Sequence, residues 1–202
     1  MTTLARADTV STVLRLRQPT PEEWVHAVLS DFDSFLLDHA ACERKASATA
    51  LTFALHYPDR RELVSSMIEL AREELEHFHT IYKEMEKRGV RLSADTKDPY
   101  VNRMRQCLRK QPDLYFLDRL LVASVIEARG CERFRFLSLA LPPGSLKELY
   151  SRLSQVEAHH HQLFLRLAKV YFDSEDADRR MAELLDIEAG ILAQLPLRAA
   201  LH

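Results

Sequence analysis

The sequence predicts an all-α fold: a four-helix bundle of two helical hairpins, with additional short helices around it. Three observations carry this. Ala, Leu, Glu and Arg dominate, and only 4 of 202 residues are Gly, a usage that favours helix over sheet. Four long stretches repeat apolar residues every three and four positions, the period of a buried helical face. No stretch alternates apolar and polar residues as a half-buried strand does. The length suits one domain with a real core. It spans 1–202, with residues 1–19 as a loose N-terminal arm.

The elements follow in order. "TPEE" at 20–23 reads as a capping box, with Thr20 as N-cap, Pro21 at the first helical position and Glu23 at the third. A short helix runs from there to about Ser30. The first long helix covers about Asp33 to Tyr57, and Pro58 stops it. The second runs from about Asp59 to Arg88, where Gly89 suits a left-handed cap. Residues 90–98 are polar and irregular. A shorter helix follows from about Pro99 to Lys110. The third long helix covers about Asp113 to Leu141. "PPGS" at 142–145 is a turn with Ser145 as N-cap, and the fourth long helix runs on to about Phe172. "DSED" at 173–176 breaks that helix, and a last helix covers about Ala177 to Leu195.

Composition narrows the function. The formal net charge is -2, so no global field draws the chain to nucleic acid, and a polyanion partner needs a local basic patch. No DNA or membrane partner is expected: no apolar run is long enough to span a bilayer and no signal peptide is visible. Cys42, Cys107 and Cys131 lack metal-type spacing, as expected of free thiols in a reducing compartment. The expected location is cytoplasmic.

The chemistry lies in "AREELEHFHTIY", residues 71–82, which contains two overlapping Glu-x-x-His pairs. The frame of Glu74 and His77 reads Leu63, Met67, Leu70, Glu74, His77, Ile81: two polar residues in an apolar seam. The frame of Glu76 and His79 is polar throughout and reads as a solvated face. A buried carboxylate needs a partner, because an unpaired buried charge is very costly. The fourth long helix repeats the pattern with Glu157 and His160 between Leu153 and Phe164. His159 and His161 lie off that frame. The first and third long helices each place one carboxylate in the seam, Glu43 and Glu127. Glu43 and Glu74 stand 31 positions apart, Glu127 and Glu157 stand 30 apart, so the hairpins match by pseudo-twofold symmetry. Four carboxylates and two imidazoles from four helices form the di-iron carboxylate pattern of ferritin-like bundles, suited to two iron or manganese ions.

The stretches "FLLDHAACERKASATAL", "REELEHF" and "EARGCERF" resemble the bacterial tRNA hydroxylase family MiaE, and the likeness extends from roughly residue 20 to 195. The resemblance implies an oxygen-dependent monooxygenase that hydroxylates the isopentenyl side chain of 2-methylthio-N6-isopentenyladenosine beside the anticodon. It also implies a two-iron centre held by Glu43, Glu74, His77, Glu127, Glu157 and His160, O2 as co-substrate, and an electron donor of unknown identity. Such a substrate needs an apolar channel, for which Phe134, Leu36 and Phe53 are candidate liners. It also needs phosphate contacts, for which Arg103, Arg105, Arg109 and Lys110, with Lys87, Arg88 and Arg91, are candidates that could form one patch. Arg129, Arg133 and Arg135 follow Glu127 closely, and one could pair with a ligand carboxylate or a phosphate. The competing readings are a ferritin- or rubrerythrin-like protein for iron oxidation, storage or peroxide reduction, and a metal-free binding bundle.

Overall fold

A computed structural model describes residues 15–202. Among them are seven helices and no strand: α1 (Glu22–Ser30), α2 (Phe32–His56), α3 (Arg61–Arg88), α4 (Pro99–Gln106), α5 (Pro112–Ala140), α6 (Ser145–Tyr171) and α7 (Ser174–Leu192). The hairpins are α2/α3 and α5/α6, joined chiefly across α3 and α6. α7 packs on α5 and α4, and α1 bridges α2 and α5. No described helix is long and apolar enough to cross a membrane.

Most helix ends lie where local chemistry predicts. Gly89 caps α3 at φ 71°, a left-handed conformation favouring glycine. Asp98 accepts from the Val101 amide ahead of Pro99, and so starts α4. Three ends differ. Thr20 does not cap α1. Its amide and hydroxyl both donate to Glu132 of α5, so a tertiary partner takes the oxygen that a capping box would use, and Pro21 stands at the cap. Gly144, not Ser145, precedes α6. The fourth long helix breaks at Phe172 and Asp173 as expected, but the last helix starts at Ser174 rather than Ala177, because Asp173 accepts from the Glu175 and Asp176 amides and caps α7.

Of the expected loose arm, residues 1–14 lie outside the described residues. The remainder is engaged: Arg17 pairs with Asp186, and the Gln18 carbonyl accepts from Arg129.

The apolar core is divided in two. One cluster gathers Phe53, Met67, Leu120 and Phe164; the other gathers Trp24, Phe35, Phe134 and Tyr150. Along every long helix one acidic residue falls where one cluster gives way to the other. Glu43 lies between Ala40 and Ala50, Glu74 between Ala71 and Ile81, Glu127 between Val125 and Phe134, and Glu157 between Leu153 and Phe164. The bundle thus encloses a polar layer between two hydrophobic ones.

Candidate metal centre

The polar layer is built from six side chains on four helices. Glu43 comes from α2, Glu74 and His77 from α3, Glu127 from α5, and Glu157 and His160 from α6. Three residues span most of one helical turn, so each Glu-x-x-His pair projects from one face. His77 Nδ1 lies 3.2 Å from Glu74, 3.7 Å from Glu157 and 3.8 Å from Glu43. His160 Nδ1 lies 3.0 Å from Glu74 and 3.2 Å from Glu157. The rings stand 5.8 Å apart, centroid to centroid.

The donors divide into two quartets, Glu43–Glu74–His77–Glu157 and Glu74–Glu127–Glu157–His160. Within each, one ligand atom per residue lies within 4.8 Å of the others. Glu74 and Glu157 belong to both. Two cations could therefore share these two carboxylates, each keeping one carboxylate and one imidazole to itself.

Electrostatics favour cations here. Glu43, Glu74 and Glu157 are only 3%, 1% and 3% exposed. Burial, reinforced by the neighbouring carboxylates, pushes Glu43 and Glu127 well above the ordinary carboxylate range. For His77, burial opposes the charged form, but hydrogen bonds to Glu43 and Glu74 outweigh it and push the imidazole up to about 10. His160 is likewise raised, with Glu157 and Glu74 outweighing burial. Protons are thus drawn into the layer to offset crowded negative charge. The offset is incomplete: Glu74 Oε1 is buried and, despite its closeness to His160, has no aligned hydrogen bond among the described residues. Four carboxylates match the charge of two divalent ions, and a carboxylate and imidazole donor set suits iron or manganese. The residues fit the group that the sequence predicts.

Three supporting residues escaped the sequence reading. His39 lies within hydrogen-bond distance of Glu43 Oε1 through Nε2 (2.6 Å) and of the Tyr150 hydroxyl through Nδ1 (3.2 Å). Burial, then the nearby His77 charge, lowers His39 to about 3, so it is neutral. With Glu43 ionised as a ligand must be, Nε2 carries the proton and Nδ1 accepts from the Tyr150 hydroxyl. His39 stands in the seam one turn before Glu43, a signal that could have been read. Glu73 lies 2.9 Å from His160 Nε2 and orients that ring from outside. It is exposed on α3 and carries no sequence signal.

Glu76 and His79 are both exposed, as their polar frame predicts. His159 is exposed, and His161 is buried beside Ser124.

A cavity of about 490 Å³ opens from the polar layer. Glu43, Glu127 and Glu157 line its inner end. Phe53, Leu70, Ala123, Phe134 and Phe164 form its walls, and Lys45, His56, Arg105 and Arg119 its rim. Phe53 and Phe134 are liners as predicted. Leu36 is not: it is fully buried in the Trp24 cluster.

The predicted cations do not form one patch. Arg88 pairs with Asp33 at the start of α2, and Lys87 with Glu84. Arg109 is held by Asp118 near the start of α5. That end of α5 meets the far end of α2, where Arg119 contacts His56, roughly 35 Å away at 1.5 Å per residue. Arg103 bonds Gln194, and Lys110 and Arg91 are exposed. Of the seven, only Arg105 lines the cavity. Among the described residues, none of the three arginines after Glu127 pairs with a carboxylate of the polar layer. Arg129 binds Glu188 and Glu132, Arg133 donates to the Leu201 carbonyl, and Arg135 is exposed.

Comparison with known proteins adds a second line. The model of a family described as tRNA-(MS[2]IO[6]A)-hydroxylase (MiaE) matches residues 8–202. The chain is 38% identical over 178 residues to a tRNA 2-(methylsulfanyl)-N(6)-isopentenyladenosine(37) hydroxylase of Pseudomonas putida, covering 88% of this chain and 86% of that one. It is 26% identical over 226 residues to the protein of the same name from Salmonella typhimurium, covering 88% and 83%. Among solved structures it resembles a protein with aldehyde deformylating oxygenase activity from Synechococcus, at a TM-score of 0.86 and 34% identity, covering 91% of this chain and 92% of that one.

Proposed function

The chain belongs to the MiaE family of tRNA hydroxylases, and on that premise we propose that it hydroxylates the isopentenyl side chain of 2-methylthio-N6-isopentenyladenosine at position 37 of tRNA. The observation that carries this reading is the junction of two features, a six-ligand polar layer and an apolar cavity that ends on three of its carboxylates. Glu43, Glu74, His77, Glu127, Glu157 and His160 would hold two iron ions, with Glu74 and Glu157 within reach of both positions, Glu43 and His77 serving one and Glu127 and His160 the other. Bound iron supplies the chemistry that activates O2, using two electrons from a separate donor.

The protein's own residues do the rest. His39 and Glu73 fix the orientation of Glu43 and His160, as hydrogen-bonded partners of metal ligands do. The walls formed by Phe53, Leu70, Ala123 and Phe134 accept the prenyl group and exclude water. The volume of about 490 Å³ lies within the range of roughly 300–1,000 Å³ typical of small-molecule pockets. Lys45, Arg105 and Arg119 at the rim meet the flanking phosphates, which fix register rather than chemistry. This work belongs in the cytoplasm, with the tRNA.

The test incubates iron-loaded, reduced protein and O2 with tRNA bearing the prenylated nucleoside, followed by mass analysis. A gain of one oxygen on that nucleoside is expected. A parallel assay offers an aldehyde, because the Synechococcus protein carries that activity on a similar fold. Aldehyde turnover with unmodified tRNA would overturn the proposal, and iron uptake with neither product would return the chain to storage or peroxide chemistry.

A further inference from the structure

A second donor cluster stands on the cavity wall, outside the six-residue layer. Cys42 of α2, Asp98 at the start of α4 and His202 bring a thiol, a carboxylate oxygen and a ring nitrogen within 4.8 Å of one another. His202 Nδ1 is 3.3 Å from Asp98 Oδ2 and 4.0 Å from Cys42 Sγ. All three residues line the same cavity, which gives a path for entry.

The placement of His202 is built by buried groups. The Trp24 indole donates to the Ala200 carbonyl, the Leu201 amide donates to Asp38, and Arg133 donates to the Leu201 carbonyl. The imidazole stacks on Tyr100 at 5.1 Å with 7° between planes. Its side chain is 5% exposed, and Nε2 is buried with no hydrogen-bond partner among the described residues. Nδ1, not Nε2, is the nitrogen that faces the other two donors. Asp98 divides its work: Oδ1 caps α4, and Oδ2 faces the ring.

We propose that Cys42, Asp98 and His202 form a second cation site, distinct from the six-residue centre, that takes a divalent ion of the zinc class. One thiolate, one imidazole and one carboxylate form a borderline-soft donor set. Around tetrahedral zinc, metal–ligand bonds of about 2.0 and 2.3 Å put nitrogen and oxygen about 3.3 Å apart and sulfur and nitrogen about 3.5 Å apart. The corresponding separations are 3.3 and 4.0 Å, and the Cys42 and Asp98 donors lie within 4.8 Å, so closure draws the Cys42 thiol inward toward the other two donors. Three protein donors leave a fourth position for water, the count of an open zinc site. The site does not depend on the tRNA reading.

Cobalt(II) separates this site from the main centre, because only Cys42 offers sulfur. The full-length protein is stripped with chelator and titrated with Co2+. A near-ultraviolet thiolate-to-cobalt charge-transfer band is expected, which Zn2+ then abolishes. The band should survive Glu74→Ala, which disables the main centre, and vanish in Cys42→Ser. Asp98→Asn and His202→Ala should each weaken Co2+ binding by about tenfold or more. These two variants carry the test if Cys42→Ser fails to fold, which circular dichroism reports. No band, a band retained in Cys42→Ser, or unchanged affinity in both Asp98→Asn and His202→Ala would overturn the proposal.

Discussion

The two hairpins offer the same ligands to the centre but differ on their other faces. The α2/α3 hairpin leaves Leu51, Leu55, Ile68 and Leu75 exposed and braces its lone glutamate, Glu43, through His39 and Tyr150. The α5/α6 hairpin has α7, α4 and α1 packed against α5. Consequently α5 buries Asp118, Arg129 and Arg133, each satisfied by a remote segment. Glu127, its lone glutamate, stands beside the cavity without a comparable brace among the described residues. Ligand symmetry thus coexists with asymmetric support. Identity of ligands fixes which ions can bind; the surroundings fix how firmly each is held and from which side substrate arrives.

The sharpest break in that comparison comes from the shared carboxylates. Glu74→Ala or Glu157→Ala removes a ligand from both quartets and should reduce binding from about two ions per chain to none, abolishing hydroxylation. Glu43→Ala or Glu127→Ala touches one quartet and should leave one ion. Metal analysis of purified variants reads the difference. Equal losses from all four would mean that the two ions are not bridged as described.

The enclosed face of α5 gives the next effect. Arg129 and Glu188 are both 0% exposed and lie 2.8 Å apart. Arg129→Ala leaves a buried carboxylate without its partner, a loss of about 3–5 kcal/mol, read as a lower midpoint in denaturant. Metal stoichiometry in the fraction that folds should be unchanged. A variant of normal stability would deny the pair its structural role.

His39→Ala probes the brace that, among the described residues, the first hairpin alone carries. Removing a hydrogen-bonded partner of a metal ligand weakens affinity by about 10–100-fold. The loss should fall on one ion of the pair, so an iron titration becomes biphasic. Glu73→Ala should have a smaller effect on His160, because its side chain is 57% exposed and water can replace it. If His39→Ala leaves both ions equally tight, the asymmetry is one of packing alone.

The candidate ligands were legible because they violate a pattern. Glu43, Glu74, Glu127 and Glu157 interrupt apolar seams, and the period of a helix is a property of the sequence itself. Partners contributed by distant segments left no such trace. The oxygen of Thr20 goes to Glu132, 112 positions away, so a sound local capping signal failed. Arg109 looked free for phosphate until Asp118 claimed it, with Arg180 of α7 on the same carboxylate. Counting basic residues cannot show which of them are already neutralised. His39 stands in the same frame as Glu43, but a lone histidine among apolar residues carries meaning only once its neighbour is placed in the donor cluster.

The smallest effect is expected from the pair that overlaps the proposed one. Glu76 and His79 share the Glu-x-x-His spacing of Glu74 and His77, on the same helix and two residues on. Two residues rotate the side chain about 200° around the axis, so the second pair points away from the layer. Both residues are exposed, and exposed substitutions away from special features stay within about 0.5 kcal/mol. Glu76→Ala and His79→Ala should therefore keep full metal content, hydroxylation and thermal midpoint. Loss of an ion in either variant would show that spacing outranks facing, and would remove the ground for assigning Glu74 and His77.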